Sequence, residues 1–430
     1  MMRFLSILFE PIRMVRRHGF LCFWFVILLL PAVIQVLKLD QADPALENRE
    51  LAALPQRPNN LAAVLAWTNQ MDAYLNDHFG LRQSMIAWNN QLRFYGLGET
   101  ASLQLAMGGE QTLFFTSHDA AHPQRMRQFL CGKGVTPAVV QELATSVTSF
   151  MQVVTQTSKT ESKEADEKQA TAIAFVPTKP ILYSELLPAW MQAECAHQIP
   201  TLPAILQQIA LTSPEVSNTV FYPLAAMQKQ KAEMQLYPAV NFHWHGRGAQ
   251  VFARELAEQQ WHMDAARSLR FHPETVSSDL QRFMPGVPLV AQIESPDYGA
   301  SNITACVGPD CFPELPSAAK LGDVSRYRWQ SPTPTSGKKL LIISDSFGNG
   351  GAGYFSPYFS EVWHISINSS GQLSEQEMTT LRANFANFAP QQVLYLFHDY
   401  SISCFSRSLN YCPIELNKVL RQLHPFPLEN

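Results

Sequence analysis

The sequence predicts an α/β fold in which a parallel β-sheet is covered by helices on both faces. From residue 171 onward, candidate strands alternate with candidate helices, as is typical of parallel sheets. Residues 340–343 form a continuous apolar run, which indicates a strand buried on both faces, and they end at a polar, glycine-rich turn. Ligands of open parallel sheets bind beyond the carboxyl ends of the strands. Ser346, in that turn, therefore lies where a nucleophile is expected; a solvated turn serine is the alternative.

The other predicted elements follow from the same periodicities. Short apolar runs predict strands at 113–115, 171–176, 219–222, 340–343, 362–367 and 392–397. Helical spacing of apolar residues predicts helices at 61–95 with an interruption at Gly80, and at 139–154, 201–211, 224–234, 248–259 and 374–388. Residues 261–337 break the alternation with many Pro, Gly and Ser residues. We expect a loop-rich insertion there, and insertions of this kind usually serve function.

Length and charge limit the possible functions. The chain has 430 residues, enough for one large domain or two ordinary ones. Its hydrophobic content of 46% is that of a folded globular protein. The net charge of -4 leaves no basic excess to neutralise phosphates, so we do not expect nucleic acid as a partner.

One segment is a candidate for crossing a membrane. Residues 20–37 carry no charge and are close to the minimum length of a transmembrane helix. Arg13, Arg16 and Arg17 precede them, which predicts a cytoplasmic N-terminus and export of the rest. A cleaved signal peptide is the alternative, but no small-x-small site follows Leu37. The predicted organisation is a cytoplasmic segment at 1–19, a signal anchor at 20–37, a linker at 38–60 and an exported domain at 61–430.

The cysteines agree with export. Of the seven, Cys22 lies in the apolar segment, and an even number remains in the exported part. An oxidising compartment would pair those six, and near neighbours in sequence are the preferred pairs. Buried free thiols are the alternative. The favoured pairs are Cys306 with Cys311, Cys404 with Cys412 and, by elimination, Cys131 with Cys195.

A serine nucleophile needs a base, and one of the twelve histidines stands in a distinctive context. His243 lies on a predicted loop that leads into a helix, with Asn241 two residues before it as a candidate orienting partner. His243 and His245 as ordinary loop histidines are the alternative. The sequence gives even less support to a zinc site, because no cysteine or carboxylate lies at ligand spacing to this pair. We therefore expect neither a metal nor a cofactor.

Together these segments resemble the SGNH-hydrolase-like polysaccharide O-acetyltransferases of the alginate acetylation group, the family of AlgX and AlgJ. That family has an Asp-x-His-Trp segment followed by a Gly-Ala helix, and a later Asp-Ser-Phe segment that carries the nucleophile. This sequence has Asn-Phe-His-Trp at 241–244, Gly-Ala at 248–249 and Asp-Ser-Phe at 345–347. Segments at 47–55, 74–82 and 176–188 also resemble family blocks. The main departure is Asn241, where the family has aspartate.

The resemblance implies a three-layer, flavodoxin-like sheet and an acetyl-serine mechanism. Ser346 would attack an acetyl donor, His243 would move the proton, and Asn241 would hold the imidazole. The backbone N–H groups of Ser346 and of the following turn are candidates for an oxyanion hole. The glycines of that turn are Gly348, Gly350 and Gly351.

The resemblance also implies partners and a location. The acceptor would be an exported polysaccharide in the periplasm, and a membrane-bound acyltransferase would supply acetyl groups to this protein in the inner membrane. Trp244 and Tyr354, like Tyr358 and Trp363, could stack on sugar rings; packing in the core or at its rim is the alternative.

Two other functions stay open from the sequence. The same residues would make an acetylesterase if water were the acceptor. Because neutral Asn241 cannot stabilise an imidazolium, the chain could instead be an impaired relative that binds glycan or scaffolds a secretion complex. An active protein would need another carboxylate, such as Asp345 or one within 261–337, or a partner. If Asn241 does hold His243, an aspartate in its place would raise turnover.

Overall fold

A computed structural model describes residues 2–40, 50–161, 170–264, 268–330, 337–409, 411–412 and 416–425. The chain forms two compact units. The first comprises Met1–Ser102 and Leu280–Leu289, and the second comprises Leu103–Asp279 and Val290–Asn430. Residues 61–102 of the predicted domain at 61–430 belong to the first unit. The start of the family-like segment, at 47–49, lies outside the described residues.

Eleven strands are found among the described residues. They are β1 (Leu105–Met107), β2 (Leu113–Phe115), β3 (Ala170–Val176), β4 (Val220–Phe221), β5 (Arg270–Ser277), β6 (Val290–Asp297), β7 (Ile303–Val307), β8 (Val324–Trp329), β9 (Lys339–Ser344), β10 (Glu361–Ser366) and β11 (Gln392–His398).

The centre of the second unit is a seven-stranded, mostly parallel sheet with the order β4-β3-β11-β9-β10-β8-β7. β4, β3, β11, β9 and β10 pair in parallel, whereas β8 pairs antiparallel with β10 and β7 antiparallel with β8. Every residue of β10 and β11 is buried, as is β9 after its first residue. This burial explains the apolar runs in the sequence and confirms the mixed α/β class.

The described α-helices surround this sheet or form the first unit. They are α1 (Met2–Leu37), α2 (Leu61–Asp77), α3 (Arg82–Gln91), α4 (Arg125–Leu130), α5 (Pro137–Glu161), α6 (Lys179–Leu182), α7 (Ala189–Cys195), α8 (Thr201–Thr212), α9 (Pro214–Ser217), α10 (Leu224–Gln230), α11 (Arg247–Arg254), α12 (Ala318–Leu321), α13 (Phe347–Gly351), α14 (Glu375–Phe388) and α15 (Leu416–Leu423). Single π-helical turns extend α3 over Leu92–Leu97 and α11 over Glu255–Gln260.

The insertion predicted at 261–337 is more regular than its composition suggests. β5 and β6 form an antiparallel hairpin, and β7 with β8 extends the main sheet at one edge. Most residues of β5 are exposed, so its sequence lacks the alternation of apolar and polar residues by which strands are predicted. The pairing of β5 with β6, and not a local pattern, makes this segment a strand.

The first unit contains the apolar helix expected at the N-terminus. Within α1, Gly19–Leu37 is long and apolar enough to cross a membrane, and none of it is buried within the protein. α2 and α3 follow as a helical pair, and Gly80 lies between them, as the sequence predicts.

Three disulfides lie in the second unit. They join Cys131 to Cys195, Cys306 to Cys311 and Cys404 to Cys412, the same pairs as those favoured from sequence. Cys22, the remaining cysteine, is free and exposed on α1.

Candidate functional site

Ser346 lies directly beyond the carboxyl end of the central strand β9, which has β10 and β11 as its neighbours. The chain leaves β9 at Ser344 and enters the short helix α13 at Phe347. Asp345 and Ser346 thus form the corner between strand and helix. Ser346 is half-buried, so its hydroxyl remains accessible at the edge of the sheet.

The loop that carries His243 is fixed by a buried lysine. The Lys179 ammonium group donates hydrogen bonds to the carbonyl oxygens of Leu113 (3.0 Å), Pro238 (2.8 Å) and Ala239 (2.9 Å). Burial lowers the pKa of Lys179 to about 7, and the charge of Asp279 opposes this shift. Lys179 follows β3, so the loop is tied to the end of a second parallel strand.

The structure brings together a serine, a histidine and an aspartate. The Ser346 hydroxyl oxygen lies 2.8 Å from His243 Nε2. On the other side of the ring, His243 Nδ1 lies 2.5 Å from the Asp279 carboxylate. With Nδ1–H donating to Asp279, Nε2 is free to accept the proton of the serine hydroxyl. This is the arrangement in which histidine acts as a base toward a serine nucleophile.

Asp279 is held in place by the histidine segment itself. Its carboxylate also accepts the backbone N–H groups of Phe242 (2.8 Å) and His243 (2.9 Å). Burial alone would raise the pKa of Asp279, but the hydrogen bonds and charge interaction with His243 outweigh burial and hold that pKa below its ordinary value. An ionised carboxylate therefore faces the imidazole.

A second carboxylate, this one buried, holds the serine turn. One oxygen of Asp345 accepts the N–H of Phe347 at 2.9 Å. The other accepts the N–H of His398 (2.9 Å), its Nδ1–H (2.6 Å) and the Ser401 hydroxyl (2.8 Å). Burial opposes ionisation of Asp345, but the interactions with His398 keep its pKa below the ordinary value. Asp345 thus ties the turn to the end of β11 and orients His398, not His243.

A cleft of about 660 Å³ opens at Ser346. Its walls include Asn368, which follows β10, and Tyr400, which follows β11. On the far wall the Arg125 guanidinium pairs with Asp119 at 2.8 Å and lies 5.0 Å above the ring of Tyr411. The cleft is large enough for a substrate beyond an acetyl group. Among the described residues, no group of three or more His, Cys, Asp or Glu side chains is placed to bind a metal ion.

Neither a family model nor a curated protein matches this sequence. The chain is similar to a solved DHHW family protein from Eubacterium siraeum, with 14% identity, a TM-score of 0.41, and coverage of 60% of this chain and 85% of that one. It is similar to Bacillus cereus PatB1 bearing a sulfonyl adduct, with 12% identity, a TM-score of 0.40, and coverage of 62% and 93%. It is also similar to the O-acetyltransferase domain of Pseudomonas putida AlgJ, with 18% identity, a TM-score of 0.38, and coverage of 74% and 98%. Similarities this low do not support a conclusion about function. A function can be proposed only from the geometry of the site.

Asn241 does not take the place beside the imidazole that the sequence predicts, because the ring nitrogens of His243 have Asp279 and Ser346 as partners. Its side chain is buried, and within the described part of the chain its Oδ1 has no hydrogen-bond partner. Asp279 occupies the place predicted for Asn241. It lies in the 261–337 segment, directly after β5, and no local pattern distinguishes it from the other acidic residues there.

Trp244 and Tyr354 have packing roles instead of the stacking on sugar considered from sequence. Trp244 is fully buried, and its indole N–H donates to the Phe347 carbonyl oxygen at 2.8 Å. It therefore joins the histidine segment to the serine turn. Tyr354 is buried and stacks on Phe271 with ring centres 6.3 Å apart. Tyr358 and Trp363 are buried as well.

The glycines after Ser346 allow close packing. A Cβ atom on Gly348 would lie 2.0 Å from the Ser344 hydroxyl, and one on Gly351 would lie 2.7 Å from the Trp244 ring. A Cβ atom on Gly350 would lie 2.9 Å from the Trp244 carbonyl oxygen. The N–H of Gly348 already donates to the Asp345 carbonyl oxygen at 3.1 Å, which corrects its predicted place in an oxyanion hole. The N–H of Ser346 has no hydrogen-bond partner among the described residues, so it remains available.

Proposed function

We propose that this protein is a serine acyltransferase in which Ser346, His243 and Asp279 form a catalytic triad. The observation that carries the proposal is the continuous hydrogen-bonded line from the serine hydroxyl through both imidazole nitrogens to a carboxylate. The position of Ser346 beyond the central strand of a parallel sheet also supports it, because this is where such sheets bind ligands.

In the first half of the reaction, Ser346 Oγ attacks the carbonyl carbon of an acyl donor while His243 Nε2 takes the hydroxyl proton. Asp279 stabilises the imidazolium that forms. The tetrahedral intermediate then collapses, the bond to the leaving group breaks, and His243 returns the proton to that group. Ser346 is left as an ester.

In the second half, a hydroxyl group of the acceptor attacks the acyl-serine and passes its proton to His243. Collapse of the second tetrahedral intermediate releases the acylated acceptor, and Ser346 recovers the proton. The free N–H of Ser346 is a donor for the oxyanion in both halves. Asn368, which lines the cleft, is the candidate for a second donor.

The acyl group and the partners come into the proposal from the resemblance of the sequence motifs. We take the acyl group to be acetyl and the acceptor to be an exported polysaccharide, bound in the cleft beside Ser346. A membrane-bound acyltransferase would supply acetyl groups, and α1 would anchor the protein in the inner membrane with its bulk in the periplasm. The SGNH-hydrolase-like relationship belongs to the same proposal.

An impaired scaffold protein is less well supported than an enzyme. The reason for that alternative was the neutral side chain of Asn241, whereas the structure has an aspartate against the imidazole. An acetylesterase uses the same triad, so only the dependence on an acceptor separates it from a transferase.

The test is turnover of a chromogenic acetyl ester by the full-length protein in detergent, with and without oligosaccharides. We expect acetylated oligosaccharide from the wild type and none from Ser346→Ala. Ser360→Ala is the matched control, because Ser360 lies beside the opposite end of the sheet, before β10, and should keep activity. Ester release that no oligosaccharide changes would indicate an esterase, and full activity in a folded Ser346→Ala protein would refute the triad.

A further inference from the structure

The helical pair of the first unit is packed against the apolar segment of α1. Gly80, between α2 and α3, lies so close to α1 that a Cβ atom there would be 2.0 Å from the Pro31 carbonyl oxygen and 2.9 Å from the Gln35 nitrogen. The backbone N–H of Ser84 donates to the Asp40 carboxylate, just past the end of α1, at 3.2 Å. The start of α3 is thus attached to the last turns of the segment that can span a membrane.

The contact with Pro31 fixes how far the corner between α2 and α3 lies from the end of the apolar segment. Pro31 precedes Leu37, the end of the apolar segment, by about 9 Å along the axis at a rise of about 1.5 Å per residue. Helices that lie in a membrane interface bury their apolar face by about 5–10 Å. If α1 spans a bilayer, the corner between α2 and α3 lies at that depth on the exported side.

One face of α3 is covered by protein. Asn90 donates to the Pro285 carbonyl oxygen at 2.9 Å, and Gln91 donates to the Gly286 carbonyl oxygen at 2.7 Å. Ala87 lies directly against Gly286, where a Cβ atom would be 2.1 Å from the Ala87 methyl group. This face is therefore closed by residues 280–289, which belong to the same unit.

The opposite face of α3 and its π-helical extension is an exposed apolar stripe. Its members are spaced by three, four and three residues, which places them on one side of a helix. They are Met85 (58% exposed), Trp88 (78%), Leu92 (64%) and Tyr95 (63%). Such a contiguous exposed apolar surface marks a binding site for another apolar phase.

The residue types of this stripe fit a lipid interface. Tryptophan and tyrosine are enriched where the acyl chains meet the headgroups, because their rings are apolar and their N–H or O–H groups polar. Arg93, on the π-helical extension, pairs with Glu99 at 3.5 Å, so the fit to lipid comes from the apolar and aromatic side chains and not from charge.

We propose that α3 lies in the outer interface of the membrane that α1 spans, with the stripe Met85, Trp88, Leu92 and Tyr95 inserted among the lipids. The protein would then be held by a spanning helix and by a second helix in the interface. The proposal is independent of the reaction at Ser346 but rests on α1 crossing the membrane.

The test uses fluorescent probes on the full-length protein in vesicles of phosphatidylcholine and phosphatidylglycerol. Cys22 is the single cysteine outside the disulfides, so labelling it in the wild type reports on α1. Trp88→Cys in a Cys22→Ser background places the probe in the stripe. Leu211→Cys in the same background is the matched control, since Leu211 is 73% exposed in the second unit.

We expect lipids with brominated acyl chains to quench the probes at 22 and 88 by about twofold or more, as insertion of about 5–10 Å requires, and to leave the probe at 211 unchanged. Aqueous iodide should quench only the probe at 211. Iodide quenching at 88 as strong as at 211 would overturn the proposal. So would protection at 88 from both quenchers, which would indicate a second copy of the chain, and so would failure of the lipid to quench at 22, which would show that α1 does not span.

Discussion

Asp279 is the residue on which the proposed chemistry depends most after Ser346 and His243. Its carboxylate fixes the tautomer of the imidazole and opposes the positive charge that forms on it. We predict that Asp279→Asn lowers kcat for acetyl-ester turnover by about 10⁴-fold, as the same change does in Ser-His-Asp hydrolases, because the amide favours the wrong tautomer. Steady-state kinetics of the purified protein measure this, and circular dichroism checks the fold.

The Asn241→Asp variant tests whether position 241, and not Asp279, supports His243. The sequence predicts that this change raises turnover, but Asn241 is only 1% exposed, and the ring nitrogens of His243 are partnered by Asp279 and Ser346. A new carboxylate there would be buried without a cationic partner, which costs stability. We therefore expect no gain in kcat and a lower melting temperature. A large gain in kcat would show that position 241, and not Asp279, supports the histidine.

Asp399 predicts a pH dependence of stability. Burial raises its pKa from 3.8 to about 6, against the effect of its hydrogen bonds from Thr178 and Tyr222. At pH values between 3.8 and about 6, the Asp399 carboxyl group stays protonated in the folded chain but is ionised in the unfolded chain. The folded state therefore binds more protons there, and its stability falls as the pH rises through this window, by roughly 3 kcal/mol in total.

Asp399→Asn should remove this loss, because an amide oxygen can accept the same hydrogen bonds without a charge. Denaturant unfolding at pH 4, 5, 6 and 7 would show a flatter pH profile and higher stability at pH 7 for this variant. Asp323→Asn, at an exposed position, is the control and should keep the wild-type profile. An unchanged slope in Asp399→Asn would mean that other groups titrate in this range.

At the level of elements, the site depends on loops from distant parts of the chain that are fastened to each other. Lys179 ties the histidine loop to the end of β3, Trp244 joins that loop to Phe347, and Asp345 ties the serine turn to His398 at the end of β11. Each link is a buried hydrogen bond with its partners on different elements. The geometry of the triad is therefore a property of the sheet edge as a whole.

The disulfides differ in the length of chain that they close. Cys131 and Cys195 are 64 residues apart, whereas Cys306 and Cys311 are 5 apart. By loop-closure entropy the long loop contributes about 4 kcal/mol and the short one about 2 kcal/mol. We predict that replacing both cysteines of the first pair by alanine destabilises the protein more than the same double change in the second pair, as measured by urea unfolding. Equal losses would show that strain or packing, not loop length, decides their effects.

For the whole molecule, the arrangement of charges around α1 predicts its orientation. Arg13, Arg16 and Arg17 precede the apolar segment, so the N-terminus should remain in the cytoplasm and the second unit should be exported. A reporter enzyme that folds only after export, fused after Asn430, should be active. A matched fusion with a reporter that works only in the cytoplasm should be silent, and activity of that second fusion would contradict the orientation.

The parts of this protein that have a local signature could be predicted from the order of the amino acids. Residues 340–343 and 392–397 were recognisable as buried strands because both faces of a central parallel strand need apolar side chains. Ser346 could be singled out because it lies just beyond the end of such a strand. His243 could be singled out because it precedes a helix in a family-like segment. Two disulfide pairs were favoured by close spacing and the third by elimination, and the structure has the same three pairs.

Which polar groups meet became visible only in the folded chain. Asp279 lies 36 residues from His243 and follows a mostly exposed strand, so nothing near it in sequence shows that it faces the imidazole. Trp244 beside His243 gave no sign of whether it faced a sugar or the core. Apolar periodicity is repeated along each element and can be read locally. A hydrogen bond between loops, in contrast, exists only once the sheet has brought their ends together.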